Sequence, residues 1–289
     1  MKEKVLILGA TGMLGSAFLK VGARNIAYDV VGAVRKPEQI ALLPTELQHR
    51  VRSGFDATKE QSLWELLHAE KPDVVINAVG VIKQYEAAES VLLTVPINTV
   101  FPHVLADYCD TACTRVIQIS TDCVFSGEEG GYREDDHANA RDVYGLSKYL
   151  GELRNAPHVT LRTSIIGPEL RKSGEIGLSL LDWFLGQTGT VKGFRGAVFS
   201  GLPTNELARV VYDFVLPKPE LTGVWHVSAE PINKFDLLNL IREIYEKRID
   251  INPVDEPKID RSLNSDRFRA ATGYQPPDWK QLITEMRFS

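Results

Sequence analysis

The chain has 289 residues, 44% of them hydrophobic, which is enough to bury the core of one large domain or of a main domain with a smaller one attached. Its net charge of -5 excludes a general electrostatic footprint for nucleic acid or an anionic membrane, so a phosphate-bearing ligand needs a local site. No stretch approaches the roughly 20 apolar residues of a membrane span. "MKEK" leads straight into a strand-like run with no signal-like apolar region, so the expected location is the cytoplasm.

The first element is the aliphatic run "KVLILGA", which breaks into Gly9-x-x-Gly12-x-x-Gly15 before the amphipathic stretch "SAFLKVGA". Between a strand and a helix, the first glycine permits a sharp turn, the second lets a pyrophosphate approach the backbone, and the third lets helix and strand pack closely. The N–H groups of the helix start, around Thr11, Met13 and Leu14, then face the phosphates with the positive end of the helix dipole behind them. A tight strand-to-helix turn also uses glycine for steric reasons alone, and the spacing by itself does not separate the two readings.

The second strand, "YDVVGAV", ends in Arg35 and Lys36. A site that prefers NAD places an acid about 20 residues beyond the glycines, on the ribose 2'-hydroxyl. Here the only acid in the strand, Asp29, stands at its start, and a cation at the far end would pair with a 2'-phosphate. NADP(H) is therefore the favoured cofactor and NAD(H) the alternative, against the bland reading of two solvated charges after a strand.

Further apolar runs follow at "PDVVINAVG", "RVIQIST" and "HVTLRTSII", separated by the amphipathic stretches "TKEQSLWELLHAE" and "NTVFPHVLADYCD". Short strands alternating with helices predict an α/β fold, a doubly wound parallel sheet of Rossmann type. Beyond residue 167 the pattern loosens into "GPELRKSGEIG", "KGFRGAVFSGLPT" and "PKPELTG", with helices legible only at "NELARVVYDFVL" and "NKFDLLNLIREIYEKR". Residues 1–167 are thus expected to form the cofactor-binding Rossmann domain with its catalytic helix. Residues 168–289 are expected to form a smaller, mainly substrate-binding α/β portion. Cys109, Cys113 and Cys123 cannot all pair and lack zinc-ligand spacing, so they read as reduced packing residues and no metal site is expected.

Chemistry enters with "VYGLSKYLGE", residues 143–152, where Tyr144 and Lys148 share one face of a helix. A nearby ammonium stabilises a phenolate, so Lys148 is expected to lower the Tyr144 phenol and let it exchange a proton with a carbonyl or alcohol. The strand before it ends in Ser120 and Thr121, at the sheet edge where open parallel sheets hold ligands. A Thr121 hydroxyl there can polarise a carbonyl or, more blandly, satisfy a loop backbone.

Several separated motifs now agree in order: "GATGMLG", "NAVG" at 77–80, "STDCVFSG" at 120–127, "YGLSK" at 144–148, "LRTSIIG" at 161–167, "GLPTNELA" at 201–208 and "DRSLNSDRF" at 260–268. Together they resemble the extended short-chain dehydrogenase/reductase superfamily and, within it, the dTDP-4-dehydrorhamnose reductase branch. The resemblance implies a catalytic set of Thr121, Tyr144 and Lys148, with Asn98 supporting the lysine's proton relay and Asp122 orienting the loop or bonding a sugar hydroxyl. It implies that Asp56, with Ala57 beside it, contacts adenine, where Asp56 would otherwise read as the cap of a helix starting near Thr58. Asn77, Ala78, Val79 and Gly80 would line the cofactor, and Thr163, Ser164 and Ile165 would flank the nicotinamide.

The implied partner is a nucleotide sugar, a dTDP- or UDP-linked 4-keto-6-deoxy-hexose, with Asp122, Cys123 and Val124 beside the sugar and Arg195 or Arg261 gripping the diphosphate. A homodimer is compatible with this reading. The related 4,6-dehydratases carry Thr-Asp-Glu where this chain has Thr121-Asp122-Cys123, and a thiol in the elimination acid's place argues against dehydration. The reductase branch usually has tyrosine at the position of Cys123 and a second acid at that of Ser126, and it commonly has a proline before its tyrosine, which "REDDHANARDVYG" lacks. Two other activities in the superfamily stand as alternatives: nucleotide-sugar 4-epimerisation, and the binding role of a regulatory subunit like that of methionine adenosyltransferase.

Overall fold

The computed structural model describes residues 2–83, 86–171 and 177–289. Of the stretch "GPELRKSGEIG", residues 172–176 lie outside the described residues. Six strands precede residue 164: β1 (Glu3–Leu8), β2 (Tyr28–Val34), β3 (Val51–Ser53), β4 (Val74–Asn77), β5 (Arg115–Thr121) and β6 (Val159–Thr163). Short strands follow as β7 (Ile165–Ile166), β8 (Thr190–Phe194), β9 (Ala197–Phe199) and β10 (Leu202–Pro203). The last four are β11 (Gly223–His226), β12 (Ile232–Asn233), β13 (Asp250–Val254) and β14 (Ile259–Asp260).

Seven strands make one parallel sheet in the order β11-β6-β5-β4-β1-β2-β3. The order reverses between β1 and β4, so the loops leaving their carboxyl ends diverge to opposite faces and open a crevice there. β4 and β5 are buried along their whole length, as the Val- and Ile-rich runs require of strands covered on both faces.

One face of the sheet is covered by the helices Met13–Arg24 and Thr204–Val210, whose residues join Val5, Ile7, Ile76 and Leu161 in the largest core. Gly22 permits this contact, because a side chain there would run into the Tyr212 ring, whose hydroxyl donates to the Phe18 carbonyl at 3.1 Å. The other face buries Leu6, Leu8, Val75 and Leu63 beneath the helices Glu60–Glu70 and Phe101–Thr111. A third core, built from Ile166, Phe184, Phe199, Leu237, Ile241, Ile251 and Ile283, belongs to the later part of the chain.

The boundary expected at residue 167 does not divide the main sheet cleanly. β11 returns to pair with β6, and Thr204–Val210 packs on the first helix, so residues 168–289 supply part of the Rossmann core as well as the smaller α/β portion. Of the three cysteines only Cys109 is fully packed. Cys113 is exposed, in a left-handed turn at φ 55°, which corrects the expectation of three packing residues. Among the described residues, no helix is long and apolar enough to cross a membrane.

Candidate active site

The glycine turn is built as its spacing requires. Gly9 adopts φ +81°, which a side chain disfavours, and donates its N–H to the Ala33 carbonyl at 3.0 Å. A Cβ on Gly15 would overlap the Gly9 carbonyl, so the third glycine is the one that lets the helix sit against the strand end. Gly12 is different: a Cβ there would meet only the Gly9 carbonyl, at 3.3 Å. It is the exposed N-cap of Met13–Arg24, and that helix has neither a side-chain cap nor an acid in its first turn. Its first N–H groups are thus left for an outside acceptor, which is the fit a dinucleotide pyrophosphate needs.

Around this turn, Val79 and the Ala78 carbonyl lie 3.2 Å from a Cβ on Gly9. Asn77 is locked in place, donating to Gln118 Oε1 at 2.8 Å and accepting from Val79 N at 3.1 Å. Arg35 and Lys36 are exposed just past β2, and Lys36 N bonds the Gln39 side chain at 2.8 Å. Asp29 instead faces Arg50 at the opposite end of that strand, at 3.8 Å. Asp56 accepts from Thr58 N at 3.0 Å and Thr58 Oγ1 at 2.7 Å. It therefore closes the turn before Glu60–Glu70, whose N-cap is Lys59 rather than Asp56. Burial opposes ionisation of Asp56, but the Thr58 hydrogen bonds, then Lys59 and Arg35, hold its carboxyl below the ordinary range.

Thr121 ends β5, and Tyr144 and Lys148 lie on the helix Val143–Leu150. That helix starts where Asp142 Oδ1 accepts from Gly145 N at 2.8 Å. The Thr121 hydroxyl reaches the Tyr144 phenol, accepts from Cys123 N at 3.1 Å, and donates to Asp122 Oδ1 at 3.2 Å. Lys148 is buried and donates to the Ile119 carbonyl at 2.7 Å. Burial brings its ammonium down to about 8, against an upward pull from Glu152. Gly80 lies beside both Lys148 and Asn98: a Cβ there would be 3.9 Å from Lys148 Nζ and 3.2 Å from Asn98 Oδ1.

The expected lowering of the Tyr144 phenol does not appear, and Lys148 is not among the groups that move it. Burial first, then the neighbouring Cys123, Asp122 and Asp142, push the phenol upward, and only the Thr121 hydrogen bond works the other way. The physical reason is where the ammonium points, towards a strand carbonyl rather than the phenol. Asn98 is also engaged elsewhere. It sits in the π-helical segment Pro96–Val100, accepts from Val81 N at 2.9 Å, and donates to the Val81 carbonyl at 3.0 Å and Ser147 Oγ at 3.2 Å.

Next to Thr121, burial raises the Asp122 carboxyl, while Cys123, Arg261, Thr121 and Ser164 pull it back. The Cys123 thiol is driven to about 12 by burial and then by Asp122, so it stays protonated and offers no base for an elimination. Arg261 Nε donates to the Phe125 carbonyl at 2.8 Å, and its charge bears on Asp122 and Asp142. Arg195 is not brought here: its guanidinium stacks on Phe235 at 5.1 Å. Val124 is fully buried with Phe125, Tyr132 and Leu263, so its side chain supports the loop rather than facing a ligand. Thr163 is buried, and the Ser164 carbonyl accepts from Leu202 N at 2.9 Å, beside the pairing of Ile165 with Leu202.

Sequence reasoning passed over two residues at this mouth. Asp142 caps the helix, and its other oxygen accepts from Lys83 Nζ at 2.9 Å. Asp142 had a readable signal, an acid three residues before a helical glycine. Lys83 had none, because it stands in an irregular loop.

The parallel sheet with its glycine turn, the motifs arrayed along its carboxyl edge and the family match together define the class: an NAD(P)-dependent oxidoreductase of the short-chain dehydrogenase/reductase type. The chain belongs to the RmlD substrate binding domain family, whose pattern matches residues 3–287. It is 25% identical to a dTDP-4-dehydrorhamnose reductase of Aggregatibacter actinomycetemcomitans, over 98% of each chain. It is also 28% identical to the methionine adenosyltransferase 2 subunit beta of Danio rerio, over 84% of this chain and 74% of that one. In fold it resembles the crystal structure of a dTDP-4-dehydrorhamnose reductase from Bacillus anthracis str. Ames in complex with NADP, with a TM-score of 0.79, 21% identity, and coverage of 100% of this chain and 99% of that one.

Proposed function

We propose that this chain uses NADPH to reduce the C4 ketone of a nucleotide-linked 4-keto-6-deoxy-hexose. The observation that carries the reading is the meeting of Thr121 and Tyr144 at the carboxyl edge of β5, with Lys148 buried beside them and the uncapped glycine turn nearby. Gly9, Gly12 and Gly15, with the N–H groups of Met13 and Leu14, would hold the pyrophosphate. Arg35 and Lys36 would take the 2'-phosphate, and Thr163 to Ile165 the nicotinamide end. The cofactor, when bound, supplies the hydride.

What the chain itself supplies is proton and charge. A phenol held above its ordinary range stays protonated, which is the form that donates to the oxygen at C4. Thr121 polarises the carbonyl, and the Lys148 ammonium stabilises the developing negative charge. Arg261, whose charge bears on Asp122, would meet the diphosphate. Exposed Leu92, Val100, Leu146 and Leu150 offer apolar surface for a homodimer, and the reading puts the enzyme in the cytoplasm.

The test is NADPH oxidation followed against a panel of dTDP- and UDP-linked 4-keto-6-deoxy sugars. Turnover of at least one is expected. Silence across the panel with tight NADPH binding retained would favour a binding role like that of the methionine adenosyltransferase relative. Interconversion of the C4 epimers of added 4-hydroxy nucleotide sugars, without net change in the cofactor, would favour an epimerase.

A further inference from the structure

In and just past its last turn, the helix Val143–Leu150 is fastened at two points. Gly151 lies against the Asn98 carbonyl, where any side chain would collide, and Thr99 Oγ1 donates to the Ser147 carbonyl at 2.8 Å. One residue on, the Glu152 side chain is 0% exposed. Its Oε1 accepts from Ser120 Oγ at 3.0 Å and from Arg162 Nε at 2.7 Å. Its Oε2 accepts from Arg162 Nη2 and Arg154 Nη2, both at 2.9 Å. Arg162 is itself buried, stacks over Phe125 at 5.2 Å, and lies 3.3 Å from His226 Nε2.

A buried carboxylate held by two guanidinium groups is often only a strut. Here its strand partner matters: Ser120 stands between Ile119, whose carbonyl receives the Lys148 ammonium, and Thr121. A single carboxylate therefore joins the strand end that carries Thr121 to the helix that carries Tyr144 and Lys148. We propose that Glu152 is a positioning residue for Lys148: clamped by Arg162 and bonded to Ser120, its carboxylate ties the β5 edge to the helix and keeps the Ile119 carbonyl against the ammonium.

The surrounding groups agree with this role. From β5, Lys148 meets a carbonyl rather than a charge; from its own chain segment it feels Glu152, which opposes the loss of its proton. Glu152 meets Arg162 from β6 and Arg154 from the following loop. His226 of β11 is brought down to about 3 by burial and then by Arg162, so it stays neutral and leaves the Arg162 charge to Glu152. Asp122, Asp142 and Cys123 bear on Tyr144 instead, at the other end of the site.

The inference rests on the proposed partnership of Tyr144 and Lys148, but its test does not require turnover. The full chain, labelled at lysine Cε, is titrated by NMR, and the Lys148 signal is assigned by its loss in Lys148→Met. Glu152→Gln is expected to lower the Lys148 midpoint by about one pH unit or more. The double variant Glu152→Gln with Arg162→Met strands no buried guanidinium and removes one charge of each sign, so its midpoint is expected between those of Glu152→Gln and the wild type. Once the substrate is known, the alkaline limb of kcat should shift with it. A midpoint unmoved in a folded variant would overturn the proposal even if thermal stability dropped, because a mere strut would affect stability alone. Failure of the keto-sugar panel would leave the midpoint readable and would count against the reductase reading only.

Discussion

At the residue scale, the proposed reduction turns on the phenol of Tyr144. Tyr144→Phe removes one oxygen from a site that Thr121 and Asp122 otherwise keep in place. Reduction of a turned-over keto sugar should fall by about 10²- to 10⁴-fold, with NADPH affinity nearly unchanged by fluorescence titration. A wild-type rate in that variant would exclude Tyr144 as the proton donor. Arg35 gives the corresponding prediction for the cofactor. Its guanidinium stands exposed at the end of β2, so Arg35→Ala should weaken NADPH by about ten- to a hundredfold and NADH by far less, measured as Kd for each. Equal losses would sink the 2'-phosphate assignment. Tyr144 was singled out by the lysine four residues on together with its place after a strand ending in Thr121, and Arg35 by its place past a strand. The direction in which Lys148 points was not readable, because spacing on a helix reports the shared face but not which acceptor a long flexible side chain finds.

At the element scale, the strand-turn-helix unit of residues 3–24 depends on Gly15. Replacing a helical glycine with alanine ordinarily favours the helix by about 1 kcal/mol. Here the added methyl would overlap the Gly9 carbonyl, and backbone cannot step aside as a side chain can. Overpacking of this kind costs about 1–3 kcal/mol, so the clash wins and Gly15→Ala should lower Tm, with weaker dinucleotide binding beside it. A Tm at or above wild type would mean that the turn relaxes more easily than its contacts imply. The five long Val- and Ile-rich runs announced their strands, but β3 and β11 did not. β3 spans only Val51–Ser53, and β11 contains Trp225 and His226 in a four-residue run, too short for any period to be read. The candidate site was marked by its motifs, whereas the Glu152–Arg162 clamp joins the loop after the helix Val143–Leu150 to β6, a pairing that only the folded sheet creates.

At the scale of the whole molecule, the last strand of the main sheet carries a titratable group that links its stability to pH. His226 is buried and neutral, with Nδ1 facing the Tyr132 carbonyl at 3.0 Å, and its pKa lies near 3 against an ordinary 6.5. Between those values the unfolded chain binds the extra proton and the folded chain does not, so stability falls as pH drops from about 6.5 towards 3. The contribution is about 1.4 kcal/mol for each pH unit within that window. Urea unfolding at pH 7 and pH 4.5 should therefore show a smaller acid loss for His226→Gln than for wild type. Identical losses would mean that the buried imidazole finds a partner for its proton. The position of β11 has a further consequence, for synthesis. β6 is made more than fifty residues before the strand that covers it, because β6 ends at Thr163 and β11 begins at Gly223. While a ribosome extends the chain between them, the growing sheet presents an unpaired edge, and such edges invite pairing with other chains. Conditions that slow elongation across this interval should raise the demand for chaperones, because β6 stays uncovered until β11 has been made.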